Sequence, residues 1–145
     1  MDIDKTGVGT LIVSSSSETV LLGMRAQYKT HPFTWSLFGG MIEVGETTKI
    51  GLLRELEEEM GFVPDIAKIY PFDIYYSKDK HFKYYTYVIV VEDEFTPSLN
   101  NENCGYCWIK LGCWPKPMHQ GAKASFCTEK ATDRIRLILE QHRTV

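Results

Sequence analysis

Between Gly39 and Gly61 the chain has few conformational options. A glycine pair, Gly39-Gly40, leads into a polar stretch ending at Glu46, and the run Thr47 to Met60 then reads as a short helix closed by Gly61. A glycine there supplies the left-handed residue that commonly ends a helix, and the glycine pair reads as a turn whose backbone can approach a ligand closely. At about 100° per residue, Glu55, Glu58 and Glu59 fall into one sector of about 100°. Leu52, Leu53, Leu56 and Met60 fall into a neighbouring sector suited to burial against a core. Arg54 and Glu58 stand at i and i+4, close enough to pair. Gathering like charges costs free energy, and a run such as Glu57-Glu58-Glu59 is usually only a solvated face. The glycines and the arginine at these spacings weigh against that bland reading. Carboxylates three and four apart on one helix are a standard way to hold a hard divalent cation.

The positions Gly40, Glu46, Arg54, Glu55, Leu56, Glu58, Glu59, Gly61 and Phe62 follow the pattern glycine, five residues, glutamate, seven residues, then Arg-Glu-U-x-Glu-Glu-x-Gly-U, with U a bulky apolar residue. This segment resembles the signature of the Nudix (MutT-like) hydrolases, and every position matches. The resemblance implies an α/β/α sandwich with a mixed β-sheet. It implies Mg²⁺, with Mn²⁺ as a substitute, held by Glu55, Glu58 and Glu59 and by the backbone carbonyl of Gly39. Arg54 would orient a neighbouring glutamate, Glu46 would brace the arginine, and Gly40 and Gly61 would serve as structural supports. The implied reaction is attack by an activated water on one phosphorus of a nucleoside diphosphate linked to a moiety X. The general base is left open between Glu55 or Glu58 on the helix and Glu102 in a distal loop, where an ordinary solvated glutamate is the competing reading.

Length and composition agree with one enzyme domain spanning residues 1–145. Apolar residues make up 43% and charged residues 24% of the chain, ordinary values for a globular protein. The net charge of −3 argues against a stable nucleic-acid partner. No apolar run is long enough for a membrane helix, and Met1-Asp2-Ile3-Asp4-Lys5 lacks the basic-then-apolar pattern of a secretory leader. A cytoplasmic location is the expectation, with a homodimer left open. Cys104 and Cys107 form a C-x-x-C, but on a strand residues three apart face opposite ways, and no second pair completes a zinc set. Reduced thiols are expected.

Hydrophobic patterning predicts a hairpin of Gly7–Val13 and Thr19–Arg25 around a serine turn, then a loop from Ala26 to Thr34. Trp35–Phe38 reads as short and extended, Ile66–Tyr76 and His81–Val91 as long strands, and Cys104–Ile109 as a last strand. Leu111–Gly121 reads as irregular. A terminal helix is expected over Ala122–His142, with Ile135, Ile138, Leu139 and His142 on one side.

Outside the signature, Arg25 at the end of its strand is a candidate phosphate donor, with solvated surface as the alternative. Tyr85 shares a strand face with Tyr87 and is a candidate base-stacking residue, while Tyr84 faces away. Trp35 and Phe38 read as packing residues. The substrate expected is a small-molecule nucleotide, with a nucleotide sugar or a canonical or oxidised nucleoside triphosphate ahead. A proline near Ser77 would mark an ADP-ribose hydrolase, and a tyrosine near Lys78–Lys80 a dinucleoside polyphosphate hydrolase; the chain has neither. A non-catalytic nucleotide-binding module is the alternative from a different class.

Overall fold

The serine run does close a hairpin, but its strands stay together only at the closed end. In the computed structural model, which describes residues 5–143, β1 (Lys5–Ser14) and β2 (Thr19–Arg25) pair antiparallel through Ile12↔Leu21, Val13↔Val20 and Ser14↔Thr19. Beyond that point they splay apart, and the segment 35–41 fills the fork. There β3 (Trp35–Ser36) pairs with β2, and β4 (Phe38–Met41) pairs with β1. The remaining elements are α1 (Thr48–Met60), β5 (Ile66–Tyr76), β6 (Phe82–Val91), β7 (Asn103–Lys110), α2 (Gln120–Phe126) and α3 (Glu129–Gln141). The sheet runs β3-β2-β1-β6-β5, with β4 on β1 and β7 on β2. β1 and β6 are parallel from Lys5↔Phe82 to Ser14↔Val91, which makes the sheet mixed. Residues 1–4, read above for the absence of a leader pattern, and 144–145 lie outside the described residues.

Alternation along β1 feeds two cores. Val8 and Ile12 join Leu21, Phe38, Ile89 and the α1 residues Leu52, Leu56 and Met60. Leu11 and Val13 face the other way, joining Val20, Leu22, Val88, Val90, Phe126, Ile135 and Leu139. Helices therefore cover both faces, and central strands buried on both sides read as continuous apolar runs such as Val88–Val91. Each fully buried aliphatic side chain contributes about 1.5–3 kcal/mol, so α1 is fixed by packing rather than by its own helical propensity. Among the described residues, no helix is long and apolar enough to cross a membrane.

Local chemistry sets the ends of α1. The Thr47 hydroxyl accepts the Ile50 N–H at 3.2 Å, and Gly61 adopts φ 80° while donating its N–H to the Glu57 carbonyl at 2.9 Å. Two expectations need correction. The terminal helix is broken, because the Thr128 hydroxyl accepts the Ala131 N–H at 3.1 Å and starts α3 afresh. As a result His142 lies past the end of α3, its Nε2 2.8 Å from the Tyr70 hydroxyl, and the buried stripe is Ala131, Ile135 and Leu139. The glycine pair is not a turn but part of β4, with Gly39 opposite Gly9 and Gly40 opposite Val8.

A Cβ on Gly39 would collide with the Val8 carbonyl oxygen and the Gly9 Cα, both backbone atoms that cannot swing aside. Gly45 has φ 88° but open space around it, with nothing within 4 Å of a Cβ. Gly39→Ala is therefore expected to cost about 3 kcal/mol through overpacking, whereas Gly45→Ala costs about 1 kcal/mol of backbone strain alone. Urea unfolding midpoints of the two variants check the difference, and equal losses would contradict it.

Candidate active site

α1 lies against the fork with part of its acidic surface turned inward. Leu52, Glu55, Leu56, Glu59 and Met60 form one stripe at i, i+3, i+4, i+7 and i+8 and are all buried, with Glu55 at 8% and Glu59 at 3% exposure. The acidic and apolar sectors expected to lie side by side are thus interleaved, and of Glu55, Glu58 and Glu59 only Glu58 turns outward, its side chain 52% exposed. Glycine makes this approach possible, since a Cβ on Gly40 would collide with the Glu55 carboxylate. The fork supplies donors for the inward carboxylates. Gly39 N–H reaches Glu59 Oε1 at 2.7 Å, and Asn103 Nδ2 donates to Glu59 Oε2 at 2.9 Å. An extended residue turns its N–H and C=O to the same edge, so the Gly39 carbonyl lies on the edge of β4 that faces Glu59.

Arg54 organises the outer half of the site. Its guanidinium has five N–H donors, and five acceptors meet them: Glu46 Oε2 at 2.7 Å and Oε1 at 3.0 Å, Glu55 at 3.1 Å, Glu58 at 3.2 Å and the Met41 carbonyl at 2.9 Å. The hydrogen bond from Arg54 holds the Glu46 carboxyl below the usual carboxylate range. Glu46 also accepts the Glu43 N–H at 2.8 Å, which closes the loop before α1.

A third carboxylate arrives from the loop before β7. Oxygens of Glu55, Glu59 and Glu102 all lie within 4.8 Å of one another. The Ser98 N–H bonds the Met60 carbonyl at 2.9 Å, so the loop that carries Glu102 is docked on the C-terminal end of α1. Glu102 Oε2 accepts from Asn100 at 3.2 Å, and Oε1 receives Lys29 Nζ at 3.1 Å. Neither Asn103 nor Lys29 was among the residues singled out by sequence. Asn103 reaches Glu59 through a bulge: Met24 pairs with Gly105 but Arg25 with Asn103, which leaves Cys104 as the extra residue. That bulge swings Asn103 to the α1 side, where strict alternation would have put it on the other face.

The remaining candidates lie further out. Arg25 donates Nε and NH2 to the Thr30 carbonyl (2.7 Å) and hydroxyl (2.9 Å), bracing the loop from 26 to 34. Tyr85 packs on the α1 face with Lys83 Nζ 4.6 Å above its ring, in the cross-strand row of Val8 and Gly40. Tyr84 lies on the opposite face across Gly7 and Gly9. All four cysteines are free thiols, and among the described residues the metal-capable group is Glu55, Glu59 and Glu102. Oxygen donors alone, converging from two elements, suit a hard cation such as Mg²⁺.

Burial pushes the Glu59 carboxyl up to about 8, the charges of Glu102 and Glu55 adding to it against the bonds from Gly39 and Asn103. Burial also raises Glu55, partly offset by Arg54. Between pH 4.5 and 8 folded Glu59 retains a proton that the unfolded chain has released, so its contribution to stability is full below that window and lost as pH rises through it. His119 is shifted down by burial and has the opposite sign, but it is common to wild type and variant. The metal-free melting temperature of wild type minus that of Glu59→Gln should therefore fall steadily from pH 5 to pH 8, the window set by the same shift. A flat difference would contradict a buried, protonated Glu59.

Comparison with known proteins agrees with this geometry. A family model described as the NUDIX domain matches residues 4–127. The fold resembles the MutT NUDIX hydrolase from Burkholderia pseudomallei, with TM-score 0.66 and 19% identity over 83% of this chain and 94% of that one. It also resembles the NUDIX domain of Shewanella oneidensis NrtR complexed with ADP ribose, with TM-score 0.70 and 17% identity over 94% and 90%. A MutT protein from Methanosarcina mazei Go1 superposes with TM-score 0.63 and 22% identity over 97% and 96%. No curated protein matches the sequence. With that match spanning most of its length, the chain belongs to the Nudix hydrolase family.

Proposed function

We propose that this pyrophosphohydrolase cleaves a phosphoanhydride bond in a nucleoside diphosphate linked to X, in a Mg²⁺-dependent reaction. The observation that carries the reading is the convergence of Glu55, Glu59 and Glu102 within 4.8 Å beside the Gly39 edge. Glu55, Glu58, Glu59 and the Gly39 carbonyl would hold the ion, and Mn²⁺ would substitute for it. When bound, the ion polarises phosphoryl oxygens and makes water more acidic. Glu102 takes the proton from the attacking water as general base. A new P–O bond forms to that water, the bridging P–O bond breaks, and the electron pair leaves with the departing phosphate. Arg54 touches none of the reacting atoms, since all five of its donors are engaged in positioning Glu46, Glu55 and Glu58.

A nucleotide sugar or a canonical or oxidised nucleoside triphosphate stands first among substrates. ADP-ribose joins the panel because the Shewanella NUDIX domain, similar in fold, is complexed with ADP ribose. A turnover panel with Mg²⁺ over these compounds and dinucleoside polyphosphates, run in heavy-oxygen water, identifies both X and the attacked phosphorus. If metal and a nucleotide bind but none of these substrates is cleaved, a non-catalytic binding module is the better reading.

Glu58 is the cleanest residue to vary, because its exposed side chain is not needed for the fold. Glu58→Gln is expected to melt within a few degrees of wild type and to lose nearly all Mg²⁺-dependent turnover. Near-normal activity removes Glu58 from the metal set. Glu102→Gln is expected to lower kcat by about 10²–10⁴, the range for a general base, while Mn²⁺ still binds, more weakly, through the remaining glutamates.

A further inference from the structure

Among the described residues two cations, Arg54 and Lys29, pair with the carboxylates of the site, and they differ in what they have left to offer. Arg54 has no free N–H. Lys29 has three ammonium N–H groups and, among the described residues, one side-chain acceptor, Glu102 Oε1 at 3.1 Å, with the two side chains 32% and 31% exposed. Lys29 stands over the cluster because its loop is tied to that of Glu102. The Ala26 N–H donates to the Glu102 carbonyl at 3.0 Å, the Lys29 N–H donates back to the Ala26 carbonyl at 3.1 Å, and Arg25 clamps Thr30. His31 and Phe33 hold left-handed backbone, φ 51° and 57°, in the same loop. The ammonium is thus placed over the site by a braced loop, on a flexible four-carbon stem.

We propose that Lys29 is the cation that receives the diphosphate, and that it does so by exchanging partners. Without substrate its ammonium pairs with Glu102 and occupies the carboxylate that must accept a proton. When a phosphate chain enters, a non-bridging oxygen takes over the ammonium, and Glu102 is released toward the water. A lysine suits this exchange better than an arginine, since a point charge with rotatable donors moves between acceptors more readily than a planar fork. The inference rests on the metal-dependent diphosphate reading above and adds to it a binding residue and a reason for the base to act only when substrate is present.

The test uses Lys29→Met and Lys29→Arg with two probes that need no knowledge of X: Mn²⁺ alone, and methylenediphosphonate added to the Mn²⁺-saturated protein. Removing the ammonium leaves Glu102 uncompensated, so Lys29→Met should bind Mn²⁺ about three- to fivefold more tightly, as expected for a partly exposed pair. It should bind methylenediphosphonate at least about tenfold more weakly, the loss of one charge-assisted hydrogen bond. Lys29→Arg should keep diphosphate affinity within about threefold, because it keeps the charge. Melting temperatures of all three proteins should agree within a few degrees, so that the binding changes are local. Unchanged affinity for the diphosphate in Lys29→Met overturns the proposal, whatever happens to Mn²⁺. Failure of wild type to bind Mn²⁺ at all overturns the metal-dependent reading, and this inference with it.

Discussion

The Glu59 carboxylate, held between the Gly39 N–H and the Asn103 amide, is the contact on which the rest of the site depends. It ties α1 to β4 and β7 at the point where β1 and β2 part. Every feature around it follows from letting a helix come that close to strand backbone. Gly39 has no side chain because the Val8 carbonyl and Gly9 Cα occupy its space, and Gly40 has none because the Glu55 carboxylate does. Gly23 is bare on the next strand, where a Cβ would lie 2.8 Å from Asn103 Oδ1 and 2.9 Å from the Phe38 ring. Gly40 and Gly23 thus leave room on two strands for the Glu55 carboxylate and the Asn103 amide, while Gly39 lets β4 lie close against the backbone of β1.

Putting carboxylates in that space works against folding. Burial pushes the Glu59 carboxyl up to about 8, while the upward push on Glu55 is partly offset by Arg54. Neither group is what a stable core would choose, since packed apolar residues would do better. The stability comes from elsewhere, from the two apolar layers on either face of the sheet. Stored repulsion of this kind is relieved by a cation, which makes the arrangement a better metal site than a structural one. The outer shell has the opposite character. Arg54 is saturated with acceptors, so the positions of Glu46, Glu55 and Glu58 are set before any ligand arrives.

What could be read from sequence was whatever helical spacing or cap chemistry encodes locally. The extent of α1 to within one residue, its end at Gly61 and the pairing of Arg54 with Glu58 are consequences of residues fewer than ten apart, whereas the Arg54–Glu46 pair came from the family resemblance and the cap role of Thr47 from the structure. A mixed sheet with helices on both faces fitted the order of elements and was what the family resemblance implied. The inward turn of Glu55 and Glu59 did not, because helical periodicity gives the relative directions of side chains and not which sector meets the sheet. Asn103 was hidden by the Cys104 bulge, which reverses the facing that alternation assigns. Lys29 could not be seen because its partner is 73 residues away and the loop that presents it has no periodic signal. Thr128 carried a legible start signal, but the apolar spacing continues across it, and only tertiary packing reveals two helices instead of one.

The same distinction explains why chemistry is easier to read here than substrate. Binding a cation at a diphosphate needs groups at fixed mutual distances, and one helix beside one glycine strand supplies most of them. A short stretch of chain can specify that, and it must do so strictly, since a shift of one residue would move a carboxylate by about 100° around the helix. Recognition of X has no such requirement. Its contacts lie outside the signature, where no helical spacing or cap chemistry points to a ligand. A fold built in this way keeps one reaction under tight constraint and leaves the surrounding contacts free to vary, so a strong signature for the diphosphate comes with a weak one for what is attached to it.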